Sequence, residues 1–302
     1  MTASPLLTAV LPIALGIIML GLGLSLTLAD FTRVVNYPRP VIIGLACQIV
    51  LLPLVCFLIA NGFGLESALA VGLMLLAASP GGTTANLFSH LAHGDVALNI
   101  TLTAVNSLIA ILTMPLLVNL SLAWFMASDQ AIPLQFAKVM QVFAIVLLPV
   151  ALGMLIRRAS PTFATRMEKP MKLVAALFLA FTIALALAKD WQTVVLYAPV
   201  VGGAALLFNL LSLGVGYWVP RLLNIPRRQA IAIGMEIGIH NGTLAIALAL
   251  SPSLLNNPTM AVPAALYSLI MFFTAAVFGW WVSRARPHTE AAGSVSGRAA
   301  GD

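Results

Sequence analysis

The stretch GMEIGIHNGT, at positions 234–243, places a carboxylate, an imidazole and a carboxamide inside a segment that is otherwise apolar. That segment is about 20 residues long, the length that a helix needs to cross a bilayer. A charged side chain is costly at that depth, and the three glycines weaken a helix. Residues that oppose a membrane helix in both respects indicate a binding site.

Glu236 is the only one of the nine acidic residues that is predicted to lie inside a span. A buried carboxylate takes up a proton unless a cation or hydrogen-bond donors compensate it, and no lysine or arginine is expected at a similar depth. Its partner could be a metal cation or a transported proton, or it could be a permanently neutral or structurally bonded glutamic acid. We favour a functional role because acids inside membrane spans generally mark transport pathways.

Two predicted helix breaks supply further backbone groups that could bind ions. Unwinding at Gly238 and Gly242 would free backbone carbonyls that normally bond within the helix, and oxygen is the ligand that hard cations prefer. Pro80-Gly81-Gly82 ends another helix, and the helix that follows it would attract an anion at its N-terminus. One such break could be a packing kink, but two breaks in opposed segments favour a site.

The composition indicates a polytopic membrane protein. Of the 302 residues, 61% are hydrophobic and 8% are charged, whereas a soluble domain has about 25% charged residues. The net charge of +6 is then attributed to cytoplasmic loops rather than to nucleic-acid binding. Cys47 and Cys56 lie in one apolar stretch and indicate neither a metal site nor a disulfide framework.

The predicted fold is all-α, with nine transmembrane stretches at about 5–29, 38–61, 66–91, 96–126, 133–156, 170–188, 193–219, 228–251 and 259–283. When the loops are assigned alternately to the two sides of the membrane, thirteen of the fifteen basic residues fall on one side. Only Lys138 and Lys189 fall on the other side. The positive-inside rule then predicts an outside N-terminus and a cytoplasmic C-terminus. A transporter domain is predicted for residues 1–286 and a disordered cytoplasmic tail for residues 287–302.

An internal repeat relates the two predicted breaks. The six residues from Ala68 match the six from Ala230 position by position, at a spacing of 162 residues. They open the third and eighth spans, which cross in opposite directions. Inverted repeats with broken helices are typical of secondary transporters with a site at the membrane midplane. We therefore predict one repeat over about 5–126 and a second over about 133–283, with two crossing broken helices.

Three stretches carry a family resemblance: SPGGTTANLFSHLAHGDVALNITLTAVNS, GIIMLGLGLSLTLADF and EIGIHNGTLAIALA. They resemble the bile acid:sodium symporter family over nearly the whole chain. The resemblance implies the nine-helix form, in which the chain begins at what resembles the second helix of ten-helix bacterial relatives. It also implies two sodium sites. One would be formed by Ala85, Asn86, Asn99, Thr103 and Glu236. The other would be formed by Gln48, Glu236, His240 and the carbonyls of Ile237 and Ile239.

Three of the positions in these predicted sodium sites depart from the family pattern. Ala85 stands where a serine is typical, so the first site loses a hydroxyl, and Asn99 stands where a serine is common and could restore an oxygen. His240 replaces a glutamine. Because an imidazole nitrogen is a poorer sodium ligand than a carboxamide oxygen and titrates near neutrality, the second site is expected to be weaker or sensitive to protons.

The sequence therefore predicts a secondary active transporter of the cell inner (plasma) membrane that moves sodium and an organic anion inward by alternating access. The anion is expected at the N-terminal ends of the broken helices, at Thr83, Thr84, Asn241, Gly242 and Thr243. Partners are the anion, sodium as coupling ion and the bilayer, with no other cofactor and no nucleic acid. The anion's identity, the sodium stoichiometry and the oligomeric state are not specified by the sequence.

Other function classes agree less well with the residues. A cation/proton antiporter of the same architecture is the alternative, but such proteins usually carry an aspartate at the crossing, where this chain has Asn86. A membrane receptor or scaffold would leave Glu236 unexplained. No enzyme is predicted, because the sequence offers no Ser/His/Asp set, metal-ligand cluster or phosphate-binding loop.

Overall fold

A computed structural model describes residues 5–126, 136–189, 191–251 and 254–284, and within them the regular structure is entirely helical. The first half comprises α1 (Pro5–Ser25), α2 (Leu28–Thr32), α3 (Pro38–Ala46), α4 (Leu52–Gly62), α5 (Ser67–Ala78), α6 (Thr84–Leu91) and α7 (Val96–Phe125). The second comprises α8 (Phe136–Ala159), α9 (Pro161–Lys189), α10 (Trp191–Leu222), α11 (Arg227–Gly238), α12 (Gly242–Leu250) and α13 (Val262–Arg284).

By length and composition, four of the described helical stretches could cross a membrane: Pro38–Gly62, Val96–Phe125, Ala198–Leu222 and Thr259–Arg284. A fifth is obtained if the bent pair Gly16–Ser25 and Leu28–Val35 is one span. The broken stretches are each too short to qualify. The chain is thus a multi-pass helical membrane protein, while the nine-span count and the inverted repeats stay predictions. The start of the fifth predicted span and the predicted tail lie outside the described residues.

The first predicted span, about 5–29, differs from the structure, because the helix axis turns by 69° between α1 and α2. Asp30 causes the new start. Its Oδ2 accepts hydrogen bonds at 2.7 Å from both the backbone N–H and the hydroxyl of Thr27. Such side-chain bonds satisfy donors at a helix N-terminus. At the end of α1, Arg157 of α8 donates to the carbonyl of Leu24 at 2.7 Å.

α7 shows how the helices divide polar from apolar side chains. It buries Asn99, Thr103 and Asn106, each at most 3% exposed, while Leu112 and Leu116 are 70% and 59% exposed. In a water-soluble protein, buried polar residues and widely exposed leucines would be unfavourable. The arrangement suits a helix whose apolar side faces lipid and whose polar side faces other helices.

The connection from α3 to α4 widens into a π-helical turn over Cys47–Leu51. Pro53 lacks a backbone N–H, so it cannot donate to the carbonyl four residues earlier. The N–H of Leu52 instead bonds to the carbonyl of Cys47. Single π-helical turns of this kind are frequent at functional sites, and this one contains the buried Gln48.

Candidate functional site

Both predicted breaks are present, and they face each other. α5 ends at Ala78 and α6 begins at Thr84, while α11 ends at Gly238 and α12 begins at Gly242. The two connecting segments run antiparallel and share main-chain hydrogen bonds: Gly82 N–H donates to the Ile239 carbonyl at 2.7 Å, and Asn241 N–H donates to the Pro80 carbonyl at 2.9 Å. Irregular backbone is thereby satisfied at a depth where lipid could not satisfy it.

Gly81 lets the two breaks approach. A Cβ at this position would lie closer than 3.0 Å to the Oε1, Cδ and backbone oxygen of Glu236. No real Cβ shows such contacts, so any larger residue would force the carboxylate or the main chain to move. The absence of a side chain at 81 is what allows the Glu236 carboxyl group to lie directly against the opposing backbone.

The Glu236 carboxyl group is 1% exposed and only half satisfied. Thr103 Oγ1 donates to its Oε2 at 2.6 Å, whereas Oε1 has no hydrogen-bond partner. The salt bridge recorded within the described residues joins Arg33 to Asp30, so it does not involve Glu236. The carboxylate therefore has one hydroxyl donor and one free oxygen at the crossing.

Three carboxamides near the crossing also present oxygens without partners. Their unpartnered oxygens are Gln48 Oε1, Asn86 Oδ1 and Asn99 Oδ1. The nitrogen of Asn99 donates to the Ala232 carbonyl at 2.7 Å, and that of Gln48 donates to the Ser79 carbonyl at 3.0 Å. These bonds fix the amide orientations, because only the nitrogen can donate to a carbonyl.

Buried polar atoms are normally hydrogen-bonded, so four unpartnered oxygens in one region require an explanation. They come from the π-helical turn, α6, α7 and α11, and one of them belongs to a carboxylate. Oxygen ligands of this kind suit a hard cation. Within the described ranges, no group of three histidine, cysteine or acidic residues is assembled that could hold a metal ion.

His240 is held on three sides. Its Nδ1 lies 3.3 Å from the Ser79 carbonyl, the same oxygen that Gln48 contacts. Its ring stacks on Phe208 at 5.5 Å between centroids and meets Tyr267 edge-on at 5.4 Å. Since a carbonyl can only accept, Nδ1 carries the hydrogen in this arrangement, and Nε2 remains without a partner.

The other predicted cation ligands also surround the crossing. Ala85 and Ile237 are buried, and the Ile239 carbonyl already accepts the Gly82 N–H. Asn99 and Thr103 are linked, because the Thr103 hydroxyl also contacts the Asn99 carbonyl at 3.1 Å. The structure thus brings together predicted residues from α6, α7, α11, the π-helical turn and the break after α11.

A cavity that is partly open at the protein surface reaches the crossing. Pro80, Ser107 and Asn241 line it near the breaks, and its remaining lining is apolar. Asn241 caps α12, because its Oδ1 accepts the Leu244 N–H at 3.0 Å. Of the five residues predicted to bind the anion, Asn241 lines this cavity. The lining formed by the described part of the chain does not include the other four: Thr83, Thr84, Gly242 and Thr243.

Sequence reasoning missed three polar residues beside α11. Asn209 and Tyr267, both fully buried, donate to the Gly238 carbonyl, and Thr274 donates to Asn209 Oδ1. The available signal was the lone carboxamide in LLFNLL and the tyrosine in AALYSL. Neither pattern indicates which backbone group the side chain contacts.

Comparison with known proteins yields a consistent set of similarities. The pattern that describes the sodium bile acid symporter family matches residues 12–196, more than half of the chain. The uncharacterized sodium-dependent transporter YocS of Bacillus subtilis is 29% identical over 264 residues, which is 87% of this chain and 79% of that protein.

Two plant proteins are also similar. The rice protein named "Probable sodium/metabolite cotransporter BASS2, chloroplastic" is 28% identical over 93% of this chain, and the Arabidopsis thaliana protein named "Probable sodium/metabolite cotransporter BASS1, chloroplastic" is 28% identical over 85%. The chain spans 65% and 62% of the lengths of these two relatives.

Proposed function

Since this chain belongs to the sodium bile acid symporter family, we propose that it carries an organic anion across the membrane together with sodium. The observation that carries the proposal is the set of four buried side-chain oxygens without partners at the crossing of the broken helices. A sodium ion would satisfy such oxygens, and the carboxylate of Glu236 would balance its charge. The similarity to a sodium-dependent transporter and to sodium/metabolite cotransporters supports the same ion.

The crossing explains how sodium could promote anion binding. Glu236 on α11 and Asn99 and Thr103 on α7 would contact the cation, while Asn86 would contact it from α6. The cation would therefore hold three helices in one arrangement. The N-termini of α6 and α12 carry partial positive charge, and they are joined to this arrangement by the main-chain bonds across the breaks. Ordering them first would lower the cost of binding an anion, which is positive cooperativity.

The cavity supports an anion with an apolar body. Its polar lining residues are Ser107 and Asn241, and the rest of the lining is formed by apolar residues such as Met114 and Leu248. Ligand sites generally combine a few polar groups that fix orientation with apolar walls that supply affinity. We propose that the carboxylate lies at the crossing and the apolar part extends into the cavity. Alternating access would then expose the crossing to each side in turn.

Uptake in proteoliposomes tests the function directly. Labelled carboxylates of graded apolar size should accumulate when an inward sodium gradient is imposed, and not when potassium replaces sodium. Exchange of sodium for protons across the membrane, without uptake of any carboxylate, would instead support the cation/proton antiporter that the sequence left as the alternative.

Thr103→Val should weaken sodium binding about tenfold. The substitution keeps the side-chain shape but removes the hydroxyl that bonds to Glu236 at 2.6 Å, and a hydrogen bond to a charged group contributes about 1.5–3 kcal/mol. Sodium dependence of uptake measures the change. Thr113→Val on the same helix is the control, because the Thr113 hydroxyl bonds within α7 to the Ile109 carbonyl. Equal sodium dependence in the two variants would contradict the role of Thr103.

We also propose that the protein lies in the cell inner (plasma) membrane, with its N-terminus outside and its C-terminus in the cytoplasm. Ser160→Cys and Leu223→Cys, in exposed connections that follow Arg157 and Arg221, should react with a membrane-impermeant thiol reagent only from the cytoplasmic side. Phe63→Cys should react only from outside. Both native cysteines are buried and should contribute little background. Labelling of Ser160→Cys from outside would contradict the orientation.

A further inference from the structure

The end of α11 is held by side chains from two other helices. Gly238, the last residue of α11, has a carbonyl that accepts a hydrogen bond from Asn209 Nδ2 of α10 and another from Tyr267 Oη of α13, both at 2.9 Å. Thr274, seven residues further along α13 than Tyr267, donates to Asn209 Oδ1 and so orients that carboxamide. Asn209 and Tyr267 are fully buried, so these bonds are shielded from water.

A carbonyl at a helix C-terminus lacks its partner within the helix, and in a membrane an unpaired carbonyl is costly. In this chain α12 does not supply the missing partner, because the Gly242 N–H bonds to the His240 carbonyl. Asn209 and Tyr267 supply it from the side. The clamped carbonyl lies two residues after Glu236 and one residue before Ile239, so it fixes the backbone from which the predicted ligands project.

The opposing break has a similar arrangement. There the carboxamide of Gln48 donates to the Ser79 carbonyl at 3.0 Å, just beyond the end of α5, with a longer contact of 3.5 Å to the Ala77 carbonyl. Gln48 precedes Ala77 by 29 residues, and Asn209 precedes Gly238 by 29 residues. Gln48 keeps a free oxygen, whereas the oxygen of Asn209 is occupied by Thr274. Asn209 is thus suited to hold backbone and not to bind a cation.

We infer that Asn209 and Tyr267 are positioning residues for the cation site, acting through the Gly238 carbonyl and without contacting the ion themselves. This inference rests on the proposed sodium-coupled function. Loss of one of the two hydrogen bonds to the Gly238 carbonyl leaves α11 formed but lets its last turn move. The oxygens of Glu236 and its neighbours then spend less time in the binding arrangement. An ion that must order its ligands binds more weakly.

Sodium titration of the purified full-length protein in detergent tests the inference. Melting temperature is measured against NaCl at constant ionic strength with choline chloride, and the sodium Kd is taken from its dependence. Tyr267→Phe keeps the ring contacts with Phe208 and His240 but loses the hydroxyl. We expect its sodium Kd to rise three- to tenfold, the range that one hydrogen bond gives. We expect Asn209→Leu combined with Tyr267→Phe to raise the Kd further.

Tyr217→Phe is the matched control, because this buried tyrosine packs among Trp218, Phe278 and Trp281 away from the breaks. Its sodium Kd should equal that of the native protein, and its melting temperature in choline should be at least that of Tyr267→Phe, which loses a buried hydrogen bond. An unchanged sodium Kd in Tyr267→Phe overturns the inference while leaving the proposed function intact.

Hydrogen exchange measured in choline distinguishes a failure of the inference about Asn209 and Tyr267 from a failure of the proposed function. Amides at 236–241 should exchange faster in Tyr267→Phe than in Tyr217→Phe, whether or not the protein binds sodium. If the native protein shows no sodium-specific stabilisation, the proposed function fails. Equal exchange rates in the two variants would then also contradict the positioning role of Tyr267.

Discussion

Glu236→Gln is expected to abolish sodium-dependent stabilisation and sodium-driven uptake while leaving a folded protein. Glutamine has nearly the same shape, so it fits the space that Gly81 leaves against the backbone, and its oxygen could still accept the Thr103 hydrogen bond. The change removes the negative charge facing the cation. Two unit charges 4 Å apart interact by about 4 kcal/mol at an effective dielectric constant of 20, which corresponds to roughly a thousandfold in affinity.

Glu66→Gln provides the matched control for this charge change. Glu66 is an exposed acid at the N-terminal end of α5, and the crossing is at the other end of that helix. Its substitution should therefore leave the sodium dependence unaltered. NaCl titration of the melting temperature and uptake in proteoliposomes should both distinguish the two variants. Retained sodium-driven uptake in Glu236→Gln would show that the cation site lies elsewhere.

Gly81→Ala is expected to be nearly as damaging, although it adds a single methyl group. The new Cβ would overlap the Glu236 carboxyl group and approach its backbone oxygen to 2.8 Å. Either the carboxylate leaves the site or the breaks separate and lose the bonds at Gly82 and Asn241. Overpacking of this kind costs about 1–3 kcal/mol, and each lost hydrogen bond adds about 1 kcal/mol. We expect a lower melting temperature and no sodium-specific stabilisation.

Gly202→Ala tests whether the effect expected of Gly81→Ala depends on where in the chain the alanine is introduced. Gly202 lies within α10, and nothing lies within 4 Å of a Cβ built there. Gly202→Ala should therefore keep the native sodium Kd and melt at the native temperature or slightly above it, because alanine favours helix more than glycine does. If Gly81→Ala behaves like Gly202→Ala, the two breaks do not pack as closely as described.

The helix breaks could be predicted because their causes are local. Proline and glycine in positions 80–82, and glycine at 238 and 242, weaken a helix wherever they occur. The bend after α1 was not predicted, although Thr27 and Asp30 have the spacing of a helix N-terminus. The surrounding apolar residues, such as Leu24 and Leu28, continued the hydrophobic pattern through the bend and concealed the new start.

The side-chain hydrogen bonds to the Gly238 carbonyl show a different limit of prediction from sequence. Asn209 and Tyr267 each lie in a mostly apolar helix, 29 residues before and after the carbonyl that they contact. A lone polar residue in a membrane helix indicates that a partner exists but not which one. The partner is set by how α10, α11 and α13 pack, and no pattern along the chain specifies that packing. The cation ligands were easier to predict because a family resemblance connected them.

The main-chain bonds across the breaks cannot form until most of the chain has been synthesised. Gly82 and Ile239 are more than 150 residues apart, so the first break is synthesised and inserted long before its partner exists. Until the second break arrives, the backbone around Pro80 has no partner in lipid. We therefore expect the nascent first half to keep this segment in contact with water or with an assisting protein. Insertion of α11 and α12 is then the step at which the two breaks gain their main-chain partners.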